Sequence, residues 1–249
     1  MKKIFIVSHK PIDIELPDDY AIIRVGNSMF DAHFSDNEGD HIAEKNPYYC
    51  ELTALYWIWK NYQCPPDTLV GLFHYRRILV EPKLASVIPK RLISLNKFQE
   101  ALTYYDMIIP PERGFSGGLY DHYSREHEIR DLDLCLDIIH DSGDAAGTIK
   151  AYMKSDRLGS IGNMFITRKA VLDRYCAWLF PILFTVEESL MLNQRDSYQR
   201  RAPGFLAERL FNPWRWSQSE LKSIEYPVIR LDKSVVSNVN NYRRAFWRL

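Results

Sequence analysis

Four short runs rich in β-branched and aromatic residues constrain this chain more than any other feature: Lys3–Ser8, Tyr20–Val25, Thr68–Phe73 and Asp106–Ile109. Each is bounded by polar or turn residues and has the length of a buried strand rather than a helix. Between the second and third lies the clearest helical pattern. Asn46 can cap it, Pro47 suits its first turn, Glu51 sits in its early turns, and Leu52, Leu55, Tyr56, Trp59 and Tyr62 recur at helical spacing. Pro65-Pro66 ends that pattern, and a second helix around Lys97–Tyr104 leads into the fourth run. Strands alternating with helices specify an α/β fold with a mainly parallel sheet flanked by helices. The second half is more helical, with patterns at Ile129–Ile139, Ile149–Met153, Ala170–Leu183 and Leu206–Phe211. A strand at Gly162–Ile166 precedes the third of these, and Tyr226–Ile229 reads as an edge strand because Pro227 cannot donate to a central ladder. No linker or repeat divides the chain, so its 249 residues read as one domain.

Composition narrows the function classes. Lys+Arg and Asp+Glu both number 32, and a net charge of zero argues against a nucleic-acid partner. The four cysteines form no CxxC pair, which disfavours a zinc ribbon or a redox motif. The apolar run Ile4–Val7 is too short for a signal-peptide core, and Tyr175–Val186 is too short to cross a bilayer. These features place the expected protein in the cytoplasm, soluble or peripheral to the membrane. GxGxxG, P-loop, GxSxG and HExxH signatures are all absent.

Several clusters could carry chemistry. Gly71-Leu72-Phe73-His74-Tyr75-Arg76-Arg77 lies at the carboxyl end of an expected strand, where open α/β sheets bind ligands. Guanidinium forks match phosphate oxygens, so Arg76 and Arg77 with His74 could hold a diphosphate; a solvated turn with local ion pairs would look the same. Glu208, read as lying in the first turn of a helix reached through Gly204, could act as a base, or merely complement the helix dipole or pair with Arg209. Asp131-Leu132-Asp133 matches the DxD pattern for Mg2+ or Mn2+, but it sits inside a helical pattern where a solvated face is the simpler reading. His122 and His127 are off the spacing that puts two metal ligands on one helix face, though either could line a sugar pocket. The polar stretch Gly26–Lys45 is long for a structureless loop in a compact domain.

Three longer motifs then resemble one bacterial family: Asp36 with Gly39–Asn46 and Tyr49–Asn61, Val70–Arg77, and Gly204–Phe211. The resemblance, from about Lys3 to Trp214, is to capsular, exopolysaccharide and O-antigen biosynthesis proteins long labelled as a domain of unknown function. That family resembles GT-A-type glycosyltransferases, and one branch is associated with transfer of galactofuranose from UDP-galactofuranose. The resemblance implies a Rossmann-like nucleotide-sugar half over residues 1–110 and an acceptor and catalytic half over 111–229; residues 230–249, read from their own arginines and aromatics, form a basic, aromatic tail. His74, Arg76 and Arg77 fall where many GT-A enzymes carry a metal-binding DxD. They would neutralise the leaving diphosphate without a metal cofactor, and Glu208 would be the general base of an inverting transfer. His9, Lys10, Arg24, Lys45, Asn46 and Tyr75 become donor-side candidates, Lys45 and Asn46 through the helix N-terminus they were expected to open. His122, His127 and Asn163 become acceptor-side candidates. The expected partners are a UDP-sugar and a glycan or lipid-linked saccharide, with the tail as a candidate membrane contact. Two alternatives remain at this point: a metal-dependent transferase using Asp131 and Asp133, and a non-catalytic glycan- or nucleotide-binding subunit.

Overall fold

A computed structural model describes residues 3–82, 92–143, 146–155 and 157–246. The order of elements is β1 (Lys3–Ser8), β2 (Tyr20–Arg24), β3 (Phe34–Ser35), α1 (Asn46–Tyr49), α2 (Leu52–Asn61), β4 (Leu69–His74), β5 (Arg77–Leu79), α3 (Leu95–Ala101) and β6 (Met107–Ile109). Then come α4 (Gly118–Glu126), α5 (Ile129–Asp141), α6 (Ala146–Lys154), β7 (Phe165–Arg168), α7 (Lys169–Ser189), α8 (Ala202–Ser217), β8 (Ser223–Glu225), β9 (Val228–Arg230) and α9 (Val235–Phe246). The main sheet runs β3-β2-β1-β4-β7-β6-β8, and β5 bridges β4 to β9. Its N-terminal block, β3-β2-β1-β4, is parallel throughout, and β8 lies parallel to β6. Antiparallel pairing enters at β7, β5 and β9. This is the mixed, mainly parallel α/β architecture that the sequence implies.

Strand alternation explains why the parallel block reads as unbroken apolar runs. In β1, Phe5 and Val7 enter a core shared with α2, α5, α7 and α8, while Ile4 and Ile6 enter a second core with Phe98 of α3 and Tyr242 of α9. Both faces of the sheet are therefore covered, so its central strands are apolar along most of their length. Gly71 sits where β4 is squeezed between its neighbours. A Cβ there would lie 3.1 Å from Ile4 and 3.2 Å from Ile166, so any side chain would crowd the isoleucines of both neighbouring strands.

Several elements differ from the sequence reading. The helix expected from Asn46 is two helices, broken at Cys50, whose φ of 53° is the one left-handed value among described residues other than glycine. Asn46 is not a cap: its amide donates to the Cys50 carbonyl at 2.9 Å and to Thr53 Oγ1 at 3.1 Å, and so ties the corner together. The last helix begins at Ala202 rather than Leu206, because Pro203 occupies the first turn, where a missing N–H costs nothing. Gly204 is thus within the helix, not in a turn before it. A Cβ on it would lie 3.6 to 3.7 Å from Cys50 and the carbonyls of Tyr48 and Tyr49, so its absence lets α8 pass close to the α1 corner. Polar α4 escaped the sequence reading because it lacks a continuous apolar stripe.

The stretch Gly26–Lys45 is ordered by a two-residue strand, β3, and by Asp36, which is buried and accepts from Thr53 at 2.6 Å. The tail is docked as far as Tyr242: β9 pairs with β5, and Asn238 bonds both backbone groups of Arg230. The membrane-contact expectation rests on side chains from Arg243 onward, which lie outside the described ones. Among the described residues no helix is long and apolar enough to cross a membrane.

Candidate active site

A cleft of about 590 Å3 opens at the carboxyl ends of β1, β2 and β4, where a parallel sheet leaves the strand-end loops to bind ligands. Val7, Ser8 and His9 come from the end of β1, Val25 from β2, and His74 from β4. Opposite them stand Cys50 and Glu51 from the α1–α2 corner, and Arg201 and Glu208 from around α8. Ser197 and Arg200 lie on the segment leading into α8.

The arginine pair owes its geometry to a hairpin. His74 and Arg77 face each other across the β4–β5 pairing, with Tyr75 and Arg76 as the connecting turn. Arg76 is exposed on that turn, its guanidinium 4.9 Å from the Tyr75 ring centre, while Arg77 is half-buried. Tyr75 also meets His9 edge-to-face at 4.8 Å and Lys10 at 5.1 Å. Burial and the charges of Lys10 and Arg76 push the His9 pKa down, so its imidazole is neutral near pH 7.

Two carboxylates share this basic cleft. Glu208 keeps 17% of its side chain exposed and accepts from Arg209 at 2.8 Å. Even so, burial and the neighbouring Glu51 charge outweigh Arg209, Arg77 and Arg201, and its pKa is pushed up to about 7. That value is well placed for moving a proton at neutral pH. Glu51 is held by Asn163, whose amide donates to it at 2.8 Å, and its carboxylate lies 3.9 Å from His74 Nε2. His74 also contacts the Asn163 carbonyl at 3.3 Å, and burial lowers its pKa. Arg76, Arg77, Arg200 and Arg201 against Glu51 and Glu208 leave the cleft net positive, which suits a diphosphate. Cys50 accepts from Arg201 Nε at 2.9 Å, yet burial raises its thiol to about 11, so it is not a thiolate there.

Of the residues singled out from sequence, His9, Asn46, His74, Tyr75, Arg76, Arg77 and Glu208 line the cleft. Lys10 reaches it through Tyr75, and Asn163 through Glu51 and His74. The others lie outside the lining. Arg24 is spent on Ser35 and the Phe30 carbonyl. Lys45 pairs with Glu187 at 2.8 Å, and the helix it was expected to open has only four residues, too few for a strong N-terminal dipole. His122 and His127 each lie 3.4 Å from Arg209 Nη2, and His127 also stacks on Phe205 at 4.0 Å. Burial and Arg209 lower both histidines, His127 to about 4, so neutral imidazoles surround the arginine that bonds Glu208.

Asp131 and Asp133 do not converge. Residues two apart on a helix point away from each other. Asp131 is bidentate with Arg195 at 2.5 and 2.8 Å, while Asp133 accepts from Tyr120 at 2.7 Å. The sequence reading missed Glu51, taken only as a favourable charge in a continuous helix, and Arg200-Arg201. A second adjacent arginine pair just before the Gly204–Phe211 motif was the available signal.

The sequence profile of a family described as a domain of unknown function, DUF4422, matches residues 3–219. The chain belongs to this family. No curated protein sequence matches this DUF4422 chain. Among solved structures it is similar to WbbM, described as a bifunctional glycosyltransferase in its apo form, at 29% identity and a TM-score of 0.81 over 93% of the chain. The chain spans about 45% of the length of that protein.

Proposed function

We propose that this DUF4422 chain is an inverting glycosyltransferase. It would move a sugar, with galactofuranose the first candidate, from a UDP-sugar onto a growing bacterial surface polysaccharide. The carrying observation is that one cleft at the strand ends gathers four arginines beside a carboxylate held near pKa 7. The likeness to a glycosyltransferase over nearly the whole chain supports the same reading.

Glu208 takes the proton from an acceptor hydroxyl as that oxygen attacks the anomeric carbon. The bond from that carbon to the diphosphate oxygen breaks on the opposite side, and the configuration inverts. Charge developing on the departing UDP is met by Arg76 and Arg77, with Arg200 and Arg201 across the cleft. Fixed cations of this kind stabilise the transition state without reorganisation. His9 and Tyr75 offer a ring pair for the nucleotide, and Glu51, oriented by Asn163, accepts from donor or acceptor hydroxyls. The arginines do the work that a divalent cation does in metal-dependent enzymes, so this reading needs no metal. The reaction belongs in the cytoplasm, with a glycan or lipid-linked saccharide as acceptor.

A donor screen tests the proposal. UDP-galactofuranose, UDP-galactose and UDP-glucose are offered with polysaccharide acceptors, and UDP release is followed. Acceptor-dependent release from one donor is expected. UDP-sugar binding without release on any acceptor would instead make the chain a binding subunit.

A further inference from the structure

A second cleft of about 340 Å3 adjoins the first and shares Arg77 with it. Its lining is of two kinds. Arg77, Arg113 and Arg230 supply guanidinium groups, and Pro110, Pro227 and Tyr242 supply apolar surface. Arg230 is neutralised by Asp232 through two bonds of 3.0 and 2.8 Å. Among the described residues neither Arg77 nor Arg113 has a carboxylate at ion-pair distance. Arg113 instead lies against the Phe115 ring, 5.1 Å from its centre. Gly162 lies beside Arg77: a Cβ there would lie 3.9 Å from Nη1, an ordinary contact, and its φ of +105° disfavours any side chain.

The wall is firmly built. Arg230 pairs with Arg77 across β5 and β9, Asn238 holds the Arg230 backbone, and Tyr242 is 8% exposed. Pro227, Arg230 and Tyr242 lie beyond residue 219, where the family match ends.

We infer that the second cleft seats an anionic group on the acceptor, one unit away from the hydroxyl that reacts at Glu208. This rests on the proposed transferase reading, because Arg77 joins the two clefts and an acceptor reaching Glu208 extends past it. Two guanidinium groups with no carboxylate at ion-pair distance among the described residues select negative charge. Proline and tyrosine faces take the C–H face of a sugar ring or the first carbons of a lipid. The shared chemistry is an acceptor bearing a carboxylate or a phosphate beside an apolar face.

Calorimetry on the full chain saturated with UDP separates the sources. The probes are digalacturonate, a neutral digalactoside of equal size, and farnesyl diphosphate. At least one anionic probe is expected to bind about tenfold tighter than the neutral one, and which one binds identifies a uronate or a lipid phosphate. Arg113→Gln, an exposed change, is expected to weaken that probe about tenfold while UDP affinity and Tm stay fixed. Equal binding of charged and neutral probes, binding of none, or an unchanged affinity in Arg113→Gln overturns the inference. If UDP itself does not bind, the nucleotide-sugar reading fails instead; the probes titrated without UDP then still decide whether this cleft takes anions.

Discussion

Glu208 with Arg209 and Asp131 with Arg195 are two inward-facing carboxylate–arginine pairs made of the same chemistry, and the fold uses them in opposite ways. Asp131 is 1% exposed and receives both prongs of its arginine, so its oxygens are spoken for. Glu208 takes one bond from its sequence neighbour and faces a cleft, and burial together with a second carboxylate, Glu51, raises its pKa. Saturating a buried carboxylate from inside the protein makes it structural. Leaving one beside a like charge and open to a cleft keeps it able to exchange a proton.

Breaking each pair should therefore do different things. Glu208→Gln is expected to lower kcat by about 10²–10⁴, the usual contribution of a general base, while UDP binding measured by calorimetry stays intact. Asp131→Asn should leave kcat of the folded protein alone and cost about 2–3 kcal/mol in urea unfolding. That is toward the low side for a broken buried pair, because Arg195 keeps 20% of its side chain exposed. Asp133→Asn, which weakens only the bond from Tyr120, should cost about 1 kcal/mol and leave activity unchanged; a joint loss of activity in the two Asp variants would restore them as metal ligands. Incubation with EDTA should have no effect on turnover.

How much of this was legible follows from what each residue packs against. The strands β1, β2 and β4 were readable because both sheet faces are covered, leaving continuous apolar runs. Arg76, Arg77 and Glu208 were readable as candidates from their motifs. The geometry that distinguishes them was not, since a hairpin turn exposes one arginine and half-buries the next. Helix α8 looked shorter than it is because Gly204 reads as a turn, whereas it lies inside the helix and gives clearance to the α1 corner, with Pro203 in the first turn. Glu51 was hidden because helical periodicity runs smoothly through Cys50 and gives no sign of the break that turns it into the cleft. Asp131 shows the converse: its helical setting reads as a solvated face, whereas it is buried against Arg195, a partner 64 residues away that no local pattern reveals.

The most direct test of the central claim is the pH dependence of kcat/KM for acceptor-dependent UDP release, compared with Glu208→Gln. The Glu208 pKa is raised to about 7, so the carboxyl holds its proton below that pH and accepts one above it. For the same reason it binds its proton more tightly folded than unfolded; its contribution to stability is full below about 4.5 and is lost as pH rises through about 7. The rate should climb through an apparent pKa near 7, and the residual activity of Glu208→Gln should lack that limb. A variant that keeps both the limb and full turnover would contradict the assignment of Glu208 as the base.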